Sequence, residues 1–110
     1  MIEERIHSTE SAVKAADNIS ADKKAELLGL LARLKSALGE VSQTQQEDAQ
    51  SIAHFAEASA REATRRKKKP KLLKTALDGL KQSMEEFEAS HPELVGLVNQ
   101  FATVLADMGL

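Results

Sequence analysis

The sequence contains no cysteine, tryptophan or tyrosine, and phenylalanine occurs only three times in 110 residues. The absence of cysteine excludes disulfide bonds, thiolate zinc sites and cysteine nucleophiles. A chain of this length forms one domain with one modest core. Its stability must therefore come from the packing of aliphatic side chains, within the chain or between chains.

Long apolar runs are absent as well, since no stretch approaches the roughly 18 residues that a membrane-spanning helix requires. The first residues, Met1 to Arg5, include two glutamates where a secretory signal would have a basic end followed by an apolar run. We therefore expect a cytoplasmic protein without membrane insertion.

Glycine-rich and catalytic motifs are also missing. The five glycines occur singly, so no phosphate-binding loop can form, and no Gly-x-Ser-x-Gly sequence is present to hold a nucleophilic serine. Adjacent acids such as Glu85 and Glu86 diverge on a helix and indicate a solvated face. The sequence predicts that the protein is not an enzyme and has no catalytic residues.

Two Glu-x-x-His pairs, Glu4 with His7 and Glu88 with His91, have the spacing that di-iron bundles use. The apolar phase of the first segment directs Glu4 and His7 towards solvent, and His91 falls at the start of a helix. His54 has a single carboxylate one turn away, which predicts an exposed histidine. We expect no metal ligands and no cofactor.

Apolar residues recur at steps of three and four along most of the chain, the spacing of one face of an α-helix. The pattern predicts an all-α domain over residues 1–110, a small bundle of about four to five amphipathic helices with coiled-coil-like heptad seams. Its parts are a helical hairpin at 2–41, an alanine-rich helix at 45–66, a basic hinge at 65–71, a helix at 72–89 and a last helix at 92–108.

Polar residues at three positions predict where helices begin. Ser20 should cap the second helix of the hairpin, because its oxygen can accept hydrogen bonds from free backbone N–H groups. Thr44 with Glu47, and Ser90 with Glu93, match the capping box, in which two side chains satisfy each other's backbone donors. The helix after Thr44 has a thin apolar face and should bury little surface. That face consists of Ile52, Ala56, Ala60 and Ala63, with Phe55 beside it.

Positive charge is concentrated around Pro70. Residues 65–81 contain eight Lys or Arg and one Asp, whereas residues 82–110 contain no Lys or Arg. Pro70 either breaks the chain or only kinks one long helix: the residue before proline disfavours helix, but the apolar phase continues through it.

Clustered cations bind phosphates by releasing counterions, so this segment is the candidate site for a nucleic acid or another anionic surface. The alternative is a solvated hinge, since no aromatic side chain is interleaved for base stacking. The candidate anion-binding residues are Arg65, Arg66, Lys67, Lys68, Lys69 and Lys71.

The last helix is apolar over most of its circumference, whereas a helix packed on one side needs a stripe of about 100°. The alanine-rich helix supplies little bulk to cover it, so a partner chain is the simplest cover. The leading hypothesis is a non-enzymatic helical interaction module that forms a homo-oligomer, most simply a dimer, or binds a helical protein partner. The candidate self-association residues are Leu94, Val98, Phe101, Leu105 and Met108.

The end of the chain carries two distinctive motifs, namely Phe87-Glu88-Ala89-Ser90-His91-Pro92 and Met108-Gly109-Leu110. They resemble a family of short, uncharacterised bacterial helical proteins, classed as a domain of unknown function, that end in a similar Phe-Glu-x-x-His-Pro helix start and a Met-Gly-aliphatic terminus. The first 41 residues are compatible with that family's opening hairpin, and residues 44–71 read as an insertion. The resemblance implies a small helical bundle in a bacterial cytoplasm and no activity.

Overall fold

The computed structural model describes residues 2–110, and Met1 lies outside the described residues. Helices are the only regular elements between residues 2 and 110, which confirms the all-α prediction. The α-helices are α1 (Ile2–Ala15), α2 (Ala21–Gly39), α3 (Gln46–Ala63), α4 (Pro70–Ser83) and α5 (Pro92–Gly109), and two short 3₁₀ helices span Gln43–Gln45 and Glu85–Phe87.

The helices form a bundle measuring 38 × 24 × 21 Å. Helices α1 and α2 pack as a hairpin, α3 lies between α1 and α4, and α5 packs against α2, α3 and α4. Helices α1 and α3 run parallel, because Arg5 contacts Glu57 while Ser8 contacts Arg61 further along both helices. Within residues 2–110, none of the helices has the length and apolar character needed to cross a membrane.

The alanine-rich helix α3 lies at the centre of the bundle, where it contacts α1, α4 and α5. The sequence pattern underestimated its burial, because small side chains let three neighbouring helices approach closely and so widen the buried face. Gly79 of α4 lies against the ring of Phe55, and Gly109 of α5 lies beside Ala63. The buried residues of α3 are Ala49, Ile52, Ala53, Ala56, Ser59, Ala60 and Ala63.

Helix starts follow the predicted capping at only one of three places. Ser20 caps α2 as predicted, its side-chain oxygen accepting from the backbone N–H of Lys23 at 3.2 Å. Both capping boxes were wrong. The hydroxyl of Thr44 bonds that of Ser42 at 3.0 Å and a 3₁₀ turn precedes α3, while Ser90 precedes an α5 that starts at Pro92 without a side-chain cap. In both cases the hydroxyl that should cap the helix instead forms a local side-chain hydrogen bond, Thr44 with Ser42 and Ser90 with His91.

Helices α3 and α4 are separate helices joined by a connection at residues 64–69, and they do not form one kinked helix. Helix α3 ends at Ala63, three residues earlier than predicted, and the Thr64 hydroxyl donates to the carbonyl of Ala60 at 2.8 Å. Lys69 has φ −130° and ψ 84°, outside the α region that is disfavoured before proline, and Pro70 occupies the first turn of α4.

Helix α4 ends at Ser83, before the predicted boundary at residue 89, and a separate 3₁₀ turn follows it. The Ser83 hydroxyl donates to the carbonyl of Leu80 at 2.6 Å, which replaces a helical hydrogen bond at this position. The connection to α5 therefore contains a short turn, and the acidic residues that follow Met84 lie on it.

The apolar circumference of α5 is covered within the chain. Helices α2, α3 and α4 supply the cover that the sequence analysis assigned to a partner. The large apolar side chains exposed among residues 2–110 are Leu72 and Leu110, and neither belongs to the predicted self-association set. Of that set, Met108 is half-buried and the others lie in the core, namely Leu94, Val98, Phe101 and Leu105.

Candidate functional site

The predicted anion-binding residues lie on one connection, between the end of α3 and the first turn of α4. We call them the basic segment: Arg65, Arg66, Lys67, Lys68, Lys69 and Lys71. Arg65 is half-buried and the other five are exposed. The segment lies between the negative end of the α3 dipole and the positive end of the α4 dipole, which offset each other, so its positive potential comes from its side chains.

The two arginines fasten this segment to the rest of the bundle. The Arg65 guanidinium pairs with Glu62 at 3.0 Å, and the Arg65 carbonyl accepts from the side-chain amide of Asn18 at 3.2 Å. Arg66 pairs with Asp17 at 2.5 Å. Because Asp17 and Asn18 form the turn between α1 and α2, the basic segment is held against that turn.

The lysines of the segment are differently placed. Lys68 donates through Nζ to the carbonyl of Ala63, one of the free carbonyls at the end of α3. Lys67, Lys69 and Lys71 make no ion pair with any residue from 2 to 110. Three ammonium groups therefore stand in solvent on a connection whose backbone position is set by the arginines.

The carboxyl-terminal end of α5 lies beside the basic segment, since a Cβ on Gly109 would meet Leu73 of α4 at 2.5 Å. The turn between α1 and α2 is at the same place, and it adds Lys14, Lys23 and Lys24. We call this region, formed by the basic segment and these three lysines, the basic end of the bundle.

Carboxylates gather at the opposite end, a grouping that was not predicted from the sequence. Gln46 donates from Nε2 to the carbonyl of Val41 at 3.0 Å and so joins the start of α3 to the end of α2. One surface cleft there is lined by acids of α1 and α3, and another by acids that follow α2 and begin α5. We call this region the acidic end: Glu3, Glu4, Glu40, Glu47, Asp48, Glu85, Glu86, Glu88 and Glu93.

A polar cluster that the sequence analysis missed joins α1 to α3. Glu57 accepts from Arg5 at 2.9 Å and from Arg61 at 3.2 Å, and Arg5 also contacts Nδ1 of His54 at 3.1 Å. Partial burial by itself would raise the pKa of Glu57. Hydrogen bonds from Ser8 and Arg61, together with the charges of Arg61 and Arg5, outweigh that effect and lower this pKa below its ordinary value.

The Glu-x-x-His pairs do not form a common site. Glu4 and His7 are exposed, and His7 lies 3.9 Å from Glu10. Glu88 is exposed, whereas the half-buried His91 packs edge-on against Phe87 and contacts the Ser90 hydroxyl at 2.9 Å. Among residues 2–110, no three His, Asp or Glu side chains lie together in a group that could hold a metal ion.

One comparison with known proteins gives a family. A domain of unknown function, DUF4404, matches residues 27–110. The match begins within α2, continues through residues 44–71 and includes the whole basic segment. No match is found among curated proteins or among solved structures.

Proposed function

The chain belongs to the DUF4404 family, a domain of unknown function, and we propose that it is a non-enzymatic helical module that binds an anionic partner through its basic segment. One observation carries this proposal: Lys67, Lys69 and Lys71 are exposed and unpaired among residues 2–110. Arg65 and Arg66 hold the segment in place before a partner arrives. Cations that are already positioned lose less conformational entropy on binding than cations on a mobile chain.

The placement of the histidines supports a non-enzymatic role. His7 and His54 are exposed, and the second contacts an arginine rather than a hydroxyl. The hydroxyl nearest to an imidazole is that of Ser90, beside His91 on the surface. No carboxylate among residues 2–110 hydrogen-bonds the other nitrogen of His91, whereas a catalytic serine and histidine normally depend on such a third group.

Self-association, the leading interpretation of the sequence, stays a prediction. The apolar residues proposed for it contribute to the core of a single chain, except for the half-buried Met108. Contacts with a second copy would therefore use another surface. Both ends of the bundle are polar and exposed, so the module's contacts with partners are expected to be electrostatic.

The expected partner is recognised by charge density rather than by base sequence. No aromatic side chain lies in the basic segment, and Phe87 and Phe101 are fully buried while Phe55 is half-buried. Base stacking is therefore not offered at this site. Phosphate or sulfate chains, nucleic acid included, fit the three unpaired lysines through counterion release.

Retention on immobilised heparin tests the proposal. We expect the protein to bind at low ionic strength and to elute as salt is raised. Replacing Lys67, Lys69 and Lys71 by Gln should move elution to clearly lower salt, and binding to a DNA duplex should lose about 0.9 in salt-dependence slope for each phosphate contact removed. Lys68 is left unchanged because its bond to Ala63 closes α3.

The matched control variant also loses three positive charges, but from a surface outside the basic end. Arg33, Lys35 and Lys81 are exposed and lie outside the basic end, so their replacement by Gln should leave heparin elution close to that of the original chain. Circular dichroism checks that both variants keep their helices. Flow-through of the original chain at low salt, or equal elution of the two triple variants, would show that the basic segment is not the site.

A further inference from the structure

Charges of opposite sign lie at opposite ends of the same bundle. Helix α4 begins in the basic segment and ends just before the acidic residues that follow Met84. Its 14 residues span about 21 Å at 1.5 Å per residue, which is the approximate distance between the two ends. The Debye length at physiological ionic strength is about 8 Å. The two ends are therefore too far apart to neutralise each other within one chain.

The carboxylates of the acidic end are not paired within the part of the chain that the structure describes. Its nine carboxylates are all exposed, and none makes an ion pair with a residue from 2 to 110. Among residues 2–110, four cations lie near it, Arg5, Arg33, Lys35 and Lys81, and Arg5 is engaged by Glu57. The nearby cations thus leave most of the negative charge uncompensated.

The basic end shows the reverse arrangement. Asp17 and Glu62 are already paired with Arg66 and Arg65, and Glu26 lies 3.9 Å from Lys23. Asp22 and Asp107 also lie at this end and offset part of its positive charge. The ammonium groups that stay unpaired are therefore available to carboxylates from outside the chain. A surface of the opposite charge, the acidic end, is present on every copy of the same protein.

We propose that the basic end of one copy docks on the acidic end of a second copy, so that copies associate head to tail. This rests on the proposed function, since it names the anionic partner of the basic segment. The contact joins two different surfaces, so each bound copy presents a free basic end and a free acidic end. Unless the rotation between copies closes a ring, such an interface produces open chains rather than a symmetric dimer.

The association should be weak and strongly dependent on salt. Both surfaces are polar and exposed, and Leu72 is the exposed large apolar side chain beside the basic segment. Interfaces built from charges gain encounter rate and specificity more than affinity, and screening reduces them. We expect the average mass to rise with protein concentration at low ionic strength and to return to that of one chain at high salt.

Sedimentation of two neutralised variants tests the proposal. The first replaces Lys67, Lys69 and Lys71 by Gln and removes charge from the basic end. The second replaces Glu85, Glu86 and Glu88 by Gln and removes charge from the acidic end. Each variant alone should associate at least tenfold more weakly than the original chain at low salt, because each has lost one half of the contact.

Mixing the two variants is the decisive measurement. One still has an intact acidic end and the other an intact basic end, so an equimolar mixture should form pairs that stop at two copies. A symmetric interface on the side of the bundle would not produce this complementation. Failure of the mixture to associate, or undiminished self-association of either variant alone, would overturn head-to-tail docking.

Heparin retention distinguishes head-to-tail docking from the binding of other polyanions by the basic segment. The variant neutralised at Glu85, Glu86 and Glu88 keeps its basic segment and should bind heparin at least as well as the original chain. If the original chain stays monomeric at low salt and high concentration but binds heparin through the basic segment, head-to-tail docking is wrong and the proposed function holds. If copies associate head to tail but heparin does not bind, binding to other polyanions is wrong.

Discussion

At the scale of single residues, the most informative side chain is Glu57. It is only 14% exposed and bridges Arg5 of α1 and Arg61 of its own helix. Its partners stabilise the carboxylate more than partial burial opposes it, so its pKa lies below the ordinary value in the folded chain. The charge on Glu57 therefore favours the folded state.

We expect Glu57→Gln to reduce the free energy of unfolding by about 1 kcal/mol at neutral pH, since two partly exposed ion pairs are lost. A group with a lowered folded-state pKa contributes stability above its unfolded pKa and loses that contribution as pH falls through the lowered value. The difference between variant and original chain should therefore shrink as pH falls below the ordinary pKa range of glutamate. Urea unfolding at neutral pH and at a series of acidic pH values measures it. Glu26→Gln, at an exposed acid 3.9 Å from Lys23, is the control and should change little.

At the scale of helices, the close approach of α3 and α4 depends on Gly79. A Cβ at this position would lie 2.4 to 2.9 Å from three ring atoms of Phe55. Gly29 of α2 is also helical, but a Cβ there would have nothing within 4 Å. The two glycines therefore separate the effect of interhelical space from that of helix propensity.

Gly29→Ala should raise the free energy of unfolding by about 0.5–1 kcal/mol, because alanine favours helix over glycine. Gly79→Ala gains the same propensity but forces the Phe55 ring aside, at a cost of about 1–3 kcal/mol. We expect a net loss of about 1 kcal/mol for Gly79→Ala. Chemical denaturation of both variants tests this, and equal stabilisation by the two substitutions would show that α3 and α4 have room to spare.

Because α5 is buried within one chain, a substitution at Phe101 tests the folding of the monomer and not its association with a partner. This side chain is fully buried within one chain, so Phe101→Asp should unfold the protein rather than dissociate it. The expected cost is several kcal/mol, the scale for an unpaired charge in an apolar site. Thr103→Asp, on the exposed face of the same helix, should keep full helicity. Circular dichroism of the two variants distinguishes them, and a folded Phe101→Asp variant would contradict this packing.

At the scale of the whole molecule, unpaired charge of one sign at each end should oppose folding. Glu85 and Glu86 follow the carboxyl-terminal end of α4, where the helix dipole also disfavours negative charge. Replacing Glu85, Glu86 and Glu88 by Gln should therefore raise the melting temperature at low salt. High salt screens the repulsion and should shrink the gain. A lower melting temperature for this variant would mean that these acids stabilise the bundle.

Features of this fold that depend on local sequence could be predicted, whereas features that depend on packing between helices could not. The helical periodicity of the hairpin at 2–41 and the Ser20 cap depend on residues that are near neighbours along the chain, and both predictions are confirmed. The cover of α5 was assigned wrongly to a partner, because the volume available around a helix depends on how closely its neighbours approach. The alanines of α3 looked too small to cover much surface, yet they allow that approach. For the same reason the Glu57 cluster was not foreseen, since Arg5 and Glu57 meet only when α1 packs on α3.

The sequence by itself determined the helical fold class and the location of the basic segment, because both depend on residues that are near neighbours along the chain. Only the tertiary structure decided which charges share an end. Glu3, Glu40 and Glu93 are separated by dozens of residues, and no local interaction relates them. The direction and packing of the helices bring these three acids to the acidic end, and the same packing places Lys67 and Lys71 at the basic end. The separation of charge on which the proposed docking depends is therefore a property of the fold.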